Sequence, residues 1–274
     1  MCLILVAWRV HPDYPLVLAA NRDEFHARAA APAAWWREPS MLAGRDLTSG
    51  GTWLGVTQRG HFAALTNYRE LAAGGPQRPD APSRGAIVPR TLADPVPASE
   101  RLQQLQRTSS RYNGFNLLFG DADSLAVYES AERRGRPLGP GVYGLSNHLL
   151  DTPWPKVVGA KAALAAGLTH LPDQEALLRL LRDDVRADDA QLPRTGLSTE
   201  WERLLSSAFI RAPGYGTRCS TILLIDRDGQ AHFSEWTWDE AGAAAGQVEY
   251  RFETGTRSKK QLDETLRAER DRWE

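Results

Sequence analysis

Apolar residues at the start of the chain fall into two runs that a short polar segment separates. Residues 2–9 and 16–24 contain mainly Leu, Val, Ile and Ala, whereas the segment HPDYP at 11–15 contains turn-forming Pro and Asp. This pattern predicts a β-hairpin that begins at the second residue of the chain.

Similar apolar runs and short turns recur further along the chain. They predict strand pairs at 52–58 with 61–67, 115–120 with 124–130 and 218–226 with 230–238, and single strands at 141–147 and 248–253. Pro153 and Pro155 introduce a predicted helix at 154–168, and a cap at Asp173 with a leucine stripe predicts a second helix at 175–184. The capping-box spacing of Thr199 and Glu202 predicts a short helix through Leu205. The remaining predictions are an exposed Gly- and Pro-rich loop at 72–85 and a charged helical tail at about 258–274. With no linker between two cores, residues 1–274 are predicted to form one α+β domain of stacked antiparallel sheets covered by helices.

The composition is that of an ordinary folded domain, and it argues against several function classes. Of the 274 residues, 42% are hydrophobic and 24% are charged, and the formal net charge of -1 gives no electrostatic basis for binding nucleic acid. No run approaches the ~18 apolar residues that a membrane span needs. Arg9 and the polar residues after it interrupt the apolar start, which argues against a signal peptide. We therefore expect a cytoplasmic protein without a membrane span.

The sequence offers little support for a metal or cofactor site. Two cysteines are too few for a cysteine-based zinc site, the six histidines show no ligand spacing, and there is no glycine-rich phosphate loop. We expect no metal and no cofactor, and a small molecule as the binding partner.

Cys2 is the first candidate for chemistry. Removal of Met1 by an aminopeptidase would leave a free thiol and a free α-amine on this one residue. An α-amine with a pKa of ~7.7 to 8.0 can accept the proton of a thiol with a pKa of ~8.5, so nucleophile and base would be supplied together. The alternative is that Cys2 is only a small buried side chain at the start of a strand.

The predicted hairpin returns the polar segment Asn-Arg-Asp-Glu to the N-terminus. If the turn is centred near Asp13, Cys2 faces Asp23 or Glu24, and a register shift of one residue exchanges the side chains that share its face. A carboxylate there could hold the α-ammonium, and Arg22 would lower the pKa of the thiol. The alternative is a cluster of solvated charges at a strand end.

Several motifs resemble those of the NRDE family. They are MCLILVAW at the start, NRDEF at 21–25, GGTWLGV at 50–56, TNYR at 66–69, GLSNHLLDTPWPKV at 144–157 and GTRCSTILLID at 216–226. Because the motifs cover most of the chain in the family's order, the chain is identified as a member of that family.

The resemblance implies the four-layered αββα fold of N-terminal-nucleophile (Ntn) hydrolases. In the similar choloylglycine hydrolases and penicillin acylases, a mature N-terminal cysteine attacks an amide. The implied roles are a nucleophile at Cys2, partners of its amine and thiolate at Arg22 and Asp23, an oxyanion hole at Asn67 and Asn147, and a second arginine near the nucleophile at Arg218. The acylases carry an aspartate three residues after their first arginine, whereas this chain has Phe25 there.

Residue chemistry alone leaves several of these roles open. Asn67 and Asn147 end predicted strands, where an amide can serve either an oxyanion hole or a turn. Arg218 begins an apolar strand and needs a carboxylate, a substrate or solvent as its partner. Cys219 is predicted to be a small buried side chain.

Two functions are compatible with these patterns. The first is an N-terminal-cysteine amidohydrolase or acyltransferase that acts on a small acylated substrate through an acyl-thioester. The alternative is a non-catalytic carrier of lipid, acyl-CoA or haem that uses the same pocket, although no motif marks an axial haem ligand.

Overall fold

The protein is described by a computed structural model that covers residues 2–69, 78–94 and 96–255. Its strands are β1 (Cys2–Trp8), β2 (Leu16–Phe25), β3 (Ala30–Trp36), β4 (Met41–Asp46), β5 (Leu54–Val56), β6 (Phe62–Asn67), β7 (Phe115–Gly120), β8 (Leu125–Glu129), β9 (Arg134–Pro137), β10 (Gly141–Leu145), β11 (Arg211–Ala212), β12 (Tyr215–Ile225), β13 (Gln230–Trp238) and β14 (Ala244–Glu253). Its α-helices are α1 (Ile87–Ala93), α2 (Ala98–Thr108), α3 (Pro155–Gly167), α4 (Glu175–Leu181) and α5 (Thr199–Leu204).

The strands in these ranges form two seven-stranded antiparallel sheets. The first has the order β10-β1-β2-β12-β13-β14, with β11 paired to β12, and the second has the order β3-β4-β5-β6-β7-β8-β9. Strand β1 lies second from one edge of the first sheet; Cys2 pairs with β2, and the pairing of β1 with β10 begins at Ile4.

Alternate side chains of β1 enter two different cores, which defines the layers of the fold. Leu3 and Leu5 pack against α3 and α4, whereas Ile4 and Val6 pack against the second sheet. Helices α1 and α2 cover the other face of the second sheet. The layers are therefore helix, sheet, sheet and helix, and the predicted four-layered αββα fold is confirmed. With both faces covered, β1 is buried along its whole length, which explains its continuous apolar sequence.

The hairpin of β1 and β2 forms as predicted, but its register differs from the prediction. Cys2 pairs with Arg22, not with Asp23 or Glu24, and Trp8 pairs with Leu16. The turn is centred on Pro12 rather than on the following residue, because the connection is closed by a hydrogen bond from the Arg9 amide to the Pro15 carbonyl at 2.8 Å. A shift of the turn centre by half a residue moves the partner of Cys2 by one position, and a shift by one residue moves it by two.

Several elements escaped prediction because their local patterns are weak. The edge strand β3 has the sequence AAPAAWW, which contains a proline and no β-branched residue, and most of it is exposed. Helices α1 and α2 follow the Gly- and Pro-rich segment that was predicted as a loop. Of that loop, residues 78–83 are irregular and Arg84–Ala86 form a 3-10 turn that leads into α1.

Smaller differences concern helix ends and the tail. The N-cap of α5 is Ser198 rather than Thr199, because the Ser198 hydroxyl accepts the Trp201 amide, while Glu202 accepts two bonds from Thr195. The predicted helical tail lies outside the described residues. No helix in the described part of the chain is long and apolar enough to cross a membrane.

Candidate functional site

A cavity of about 590 Å³ opens beside the start of β1, between the first sheet and loops of the second. Cys2 lines it and is only 8% exposed. Of the residues predicted for the site, those that line the cavity are Cys2, Arg22, Asp23, Asn67 and Arg218. Asn147 is fully buried and is not among the lining residues. The catalytic roles of these residues remain predictions.

Three neighbouring strands align Cys2, Arg22 and Cys219 in one row. Cys2 pairs with Arg22 between β1 and β2, and Arg22 pairs with Cys219 between β2 and β12. Paired residues on antiparallel strands share a face, so the arginine lies between two free thiols. Strands are ~4.8 Å apart, which separates the two cysteine Cα atoms by ~10 Å, too far for a disulfide.

A β-bulge in β12 brings Cys219 to the cavity and sets Arg218 apart. The pairing shifts between Thr217 and Cys219, so Arg218 is the extra residue of the strand. Its Nη1 donates to three main-chain carbonyls of the turn after β2, at 3.0 to 3.2 Å; they belong to Phe25, His26 and Arg28. The Nη1 of Arg218 is therefore bonded to a turn, and no carboxylate in the described part of the chain forms an ion pair with this arginine.

Replacing Arg218 with glutamine should loosen this turn and leave most of the fold intact. The loss of charge-assisted bonds is expected to cost about 1 to 2 kcal/mol locally. The measurement is hydrogen exchange of the Arg28 amide, which donates to the Phe25 carbonyl at 3.0 Å and should exchange faster. Arg211→Gln, which removes an exposed ion pair with Asp184, is the control. An unchanged exchange rate in Arg218→Gln would show that the turn does not depend on this arginine.

The Arg22 guanidinium is buried and incompletely bonded. Its Nη2 lies 3.5 Å from Asp46 Oδ2 and 3.9 Å from Glu24 Oε2, while its buried Nη1 has no hydrogen-bond partner among the described residues. Arg28 makes the shorter contact with Asp46, at 2.6 Å. A buried cation with a free donor favours an anion beside it, such as a thiolate or an oxyanion of a ligand.

Burial, rather than Arg22, dominates the acidity of the two thiols. Burial raises the pKa of Cys2 and the Asp23 carboxylate raises it further, while Arg22 lowers it. The net pKa is raised, so the predicted lowering by Arg22 is outweighed. Burial and Glu235 raise the pKa of Cys219 well above its ordinary value. Both thiols are therefore neutral at pH 7, and a reaction at either one needs a base.

Asp23 lies on the opposite face of β2 from Arg22, because successive residues of a strand alternate. It is 1% exposed, and its Oδ1 accepts a hydrogen bond from the Thr217 hydroxyl at 2.7 Å. Burial raises the pKa of this carboxyl, and the charges of Lys156 and Arg22 lower it. Both Arg22 and Asp23 are thus buried at the start of β1, as the hairpin predicts.

Asn67 and Asn147, the two residues predicted for the oxyanion hole, are joined by a hydrogen bond. Asn147 Nδ2 donates to the main-chain carbonyl of Asn67 at 2.9 Å, and the Asn147 carbonyl accepts the Arg69 amide at 2.7 Å. Asn147 therefore supports the segment that ends β6. Strand β10 ends at Leu145, two residues before Asn147, rather than at Asn147 itself. Asn67 accepts the Asn147 bond through its main-chain carbonyl, and Asn67 is one of the residues that line the cavity.

Asn21, the first residue of the NRDE motif, links the first sheet to its helices. Its Nδ2 donates to the carbonyls of Leu181 and Ala208 at 2.7 and 2.9 Å, and its Oδ1 accepts the Ser220 hydroxyl at 2.6 Å. These bonds satisfy a fully buried amide, so Asn21 serves the fold.

Comparisons with known proteins agree with the motifs. The sequence model of the family Transport and Golgi organisation 2 matches residues 1–240. The chain belongs to this family. It is 36% identical to the human Transport and Golgi organization protein 2 homolog over 262 residues, which cover 86% of this chain and 92% of the relative. The Drosophila melanogaster Transport and Golgi organization protein 2 is 30% identical over 270 residues, with the same shares covered.

Among solved structures, an N-acylethanolamine-hydrolyzing acid amidase ortholog from Caenorhabditis elegans has a TM-score of 0.46 and 13% identity over 81% of this chain and 92% of its own.

Two ionisable residues of this Transport and Golgi organisation 2 family member were missed in the sequence. Glu235 lines the cavity, and its Oε1 accepts the Ala33 amide at 2.7 Å. The position of Glu235 among apolar residues of β13 was a sequence signal that could have identified it as a candidate site residue. Lys156 is also buried, although its place in helix α3 gave no reason to expect burial.

Proposed function

We propose that the protein is an N-terminal-cysteine amidohydrolase or acyltransferase that acts on a small acylated substrate through an acyl-thioester at Cys2. The observation that carries the proposal is the position of Cys2, at the wall of the cavity and next to Arg22 at the start of the buried strand β1. Loss of Met1 would make this residue the N-terminus and place an α-amine within the site.

The reaction requires a base because burial keeps the thiol neutral. In the proposed mechanism, the neutral α-amine of mature Cys2 takes the thiol proton as Sγ attacks the acyl carbon. The carbonyl electron pair moves to oxygen, and the Asn67 side-chain amide supports that oxyanion. The α-ammonium then returns the proton to the leaving amine as the C–N bond breaks. Water or another acceptor cleaves the thioester and regenerates the thiol.

Arg22 and Asp23 have complementary tasks in this proposal. Arg22 offers its free Nη1 to the thiolate or to the oxyanion on the Cys2 face of β2. Asp23, on the opposite face, provides the carboxylate that holds the α-ammonium.

The test combines intact mass, thiol labelling and turnover on protein expressed without an N-terminal tag. We expect a mass that lacks Met1, and faster iodoacetamide labelling of Cys2 than of Cys219, because the pKa of Cys219 is raised further. Cys2→Ala should lower turnover of p-nitrophenyl acetate by at least about 10³-fold. Cys219→Ala is the matched labelling control and should retain the fast reaction.

The proposal fails if Met1 is retained on active protein, or if Cys2→Ala keeps its turnover. A protein that binds an acylated ligand in stoichiometric amounts without releasing product, and does so equally well as Cys2→Ala, would be a carrier instead.

A further inference from the structure

The segment of residues 78–86 supplies a part of the cavity wall that is mostly apolar in its middle. It is irregular as far as residue 83 and ends in the 3-10 turn Arg84–Ala86. Pro79, Ala81 and Pro82 line the cavity between polar residues at the two ends of the segment. The segment has no strand or helix that would fix it, so its place depends on the bonds at its ends.

The first end is joined to the connection that precedes β7. The Arg78 amide donates to Asn113 Oδ1 at 2.9 Å, and Asn113 Nδ2 donates back to the Arg78 carbonyl at 3.0 Å. Arg78 Nη2 donates to the carbonyls of Ser110 and Tyr112 at 3.0 and 2.8 Å. Both the main chain and the guanidinium of Arg78 therefore hold this connection.

The second end is joined to the strand end that carries Asn67. Arg84 Nη1 donates to the Gly114 carbonyl at 2.9 Å, and the same carbonyl accepts the Tyr68 amide at 2.9 Å. Tyr68 directly follows Asn67, which lines the cavity. The segment of residues 78–86 is thus fixed next to the candidate oxyanion donor.

Two apolar side chains of the second sheet adjoin the segment. The Gly85 carbonyl accepts the Thr52 amide at 3.0 Å, which places the segment beside Trp53. The Trp53 carbonyl accepts the Leu65 amide at 2.7 Å. Trp53 and Leu65 both line the cavity and are mostly buried, so they extend the apolar surface that the prolines and Ala81 begin.

The side of the cavity next to Cys2 on β2 has the opposite character. Arg22, Glu24, Arg28 and Asp46 line it and are joined by ion pairs of 2.6 to 3.9 Å. An apolar chain gains free energy on the apolar side and would strip water from charges on this one. Because Cys2 adjoins the charged side, an acyl carbonyl between Cys2 and the Asn67 amide would lie at the boundary of the two.

We propose that the apolar side of the cavity, formed by Pro79, Ala81, Pro82, Trp53 and Leu65, binds the acyl chain of the substrate, and that this chain is a straight aliphatic one. The inference rests on the proposed function, because it assigns the acyl half of the same substrate.

Ala81 determines the chain length in this arrangement, since its methyl group stands between two prolines and leaves room that a larger side chain would fill. The prolines fix the backbone φ on both sides of it, and the bonds of Arg78 and Arg84 fix the ends of the segment. The wall is therefore formed before the ligand arrives, and little conformational entropy is lost on binding.

The first test measures binding without turnover, by calorimetry on Cys2→Ala with straight-chain primary amides from acetamide to octanamide. Affinity should rise about fourfold with each methylene until the chain fills the cavity. Adding Ala81→Leu should displace about two methylenes, so that octanamide binds about tenfold more weakly relative to butanamide. Ala131→Leu, in the exposed turn between β8 and β9, is the matched control and should keep the parent series. An affinity independent of chain length, or equal series in the two leucine variants, overturns the inference.

A measurement on the unaltered wall covers the case in which Ala81→Leu does not fold. With alanine methyl groups labelled in Cys2→Ala, bound octanamide should give nuclear Overhauser effects between its chain and the Ala81 methyl group. Effects confined to other methyl groups would have the same negative meaning.

The second test compares turnover of p-nitrophenyl butanoate and octanoate. Ala81→Leu should lower the ratio of kcat/KM for octanoate to that for butanoate by about tenfold, and Ala131→Leu should keep the wild-type ratio. Turnover that survives in Cys2→Ala refutes the proposed function, while amide binding still decides where the acyl chain lies. If Cys2 is essential and both leucine variants have the wild-type ratio, only the assignment of the acyl chain is refuted.

Discussion

Lys156→Met is expected to raise the free energy of unfolding by about 3 kcal/mol at pH 7. Burial lowers the pKa of this amine from 10.5 to about 8. The fall in pKa corresponds to about 3 kcal/mol of destabilisation while the amine is charged, because each pKa unit is worth about 1.4 kcal/mol. Methionine fills similar space and carries no charge, so it removes this cost.

The sign of the effect sets its pH dependence. The cost is present in full below about pH 8, where Lys156 is protonated in both the folded and the unfolded protein. Between about pH 8 and 10.5 the folded protein gives up the proton first, so the difference between wild type and Lys156→Met shrinks to nothing. Urea unfolding at intervals from pH 6 to 10.5 measures the difference. The comparison is Lys161→Met, which removes a partly exposed lysine of the same helix that pairs with Asp151 at 2.7 Å. A difference that stays constant over that range, or a less stable Lys156→Met at pH 7, would contradict a lowered pKa.

Gly51→Ala should destabilise the fold by about 3 kcal/mol and deform the cavity wall. A Cβ at Gly51 would lie 2.4 Å from the carbonyl carbon and oxygen of Gly85, which is backbone and cannot rotate away. The Thr52 amide donates to the same carbonyl at 3.0 Å, so the clash must break or displace that bond. Gly85 lies in the 3-10 turn of Arg84–Ala86, and this turn lines the cavity.

Two measurements check this expectation. Urea unfolding gives the loss of stability, and hydrogen exchange of the Thr52 amide reports the bond to Gly85. Gly159→Ala is the control: its added Cβ meets nothing within 4 Å on an exposed position of α3, so stability should stay level or rise by up to about 1 kcal/mol. A Gly51→Ala protein as stable as wild type would mean that residues 83–86 can move away without cost.

Features that depend on local pattern could be predicted from the sequence. The hairpin that brings Arg22 and Asp23 to the start of β1 follows from two apolar runs and a turn. The αββα layers follow from repeated hairpins, helical segments and the family motifs. The register could not be obtained in the same way, because the position of the turn centre depends on how residues 9–15 close, and neighbouring choices have similar sequence patterns.

The rest of the site depends on contacts between distant parts of the chain. No sequence pattern indicates the bulge at Arg218. The bulge nevertheless places Cys219 beside Arg22 and allows Arg218 to bond to a turn. The family motifs placed Asn67 and Asn147 at one site, and the two residues do contact each other. Only the packing shows that Asn147 supports the main chain of Asn67. Lys156 is buried because α3 meets β1 and β10 at its first turn, and helical periodicity carries no information on that contact.

The distance between the two thiols has a consequence for oxidative damage. A peroxide that reached Cys2 would oxidise this residue to a sulfenic acid, which a nearby cysteine commonly resolves by forming a disulfide with loss of water. The chain contains one other cysteine, and the strand that carries Arg22 holds Cys219 ~10 Å away by Cα separation, beyond disulfide reach. Repair of the oxidised residue therefore depends on a thiol from outside the chain, and without one a second equivalent of peroxide would carry Cys2 to the irreversible sulfinic acid.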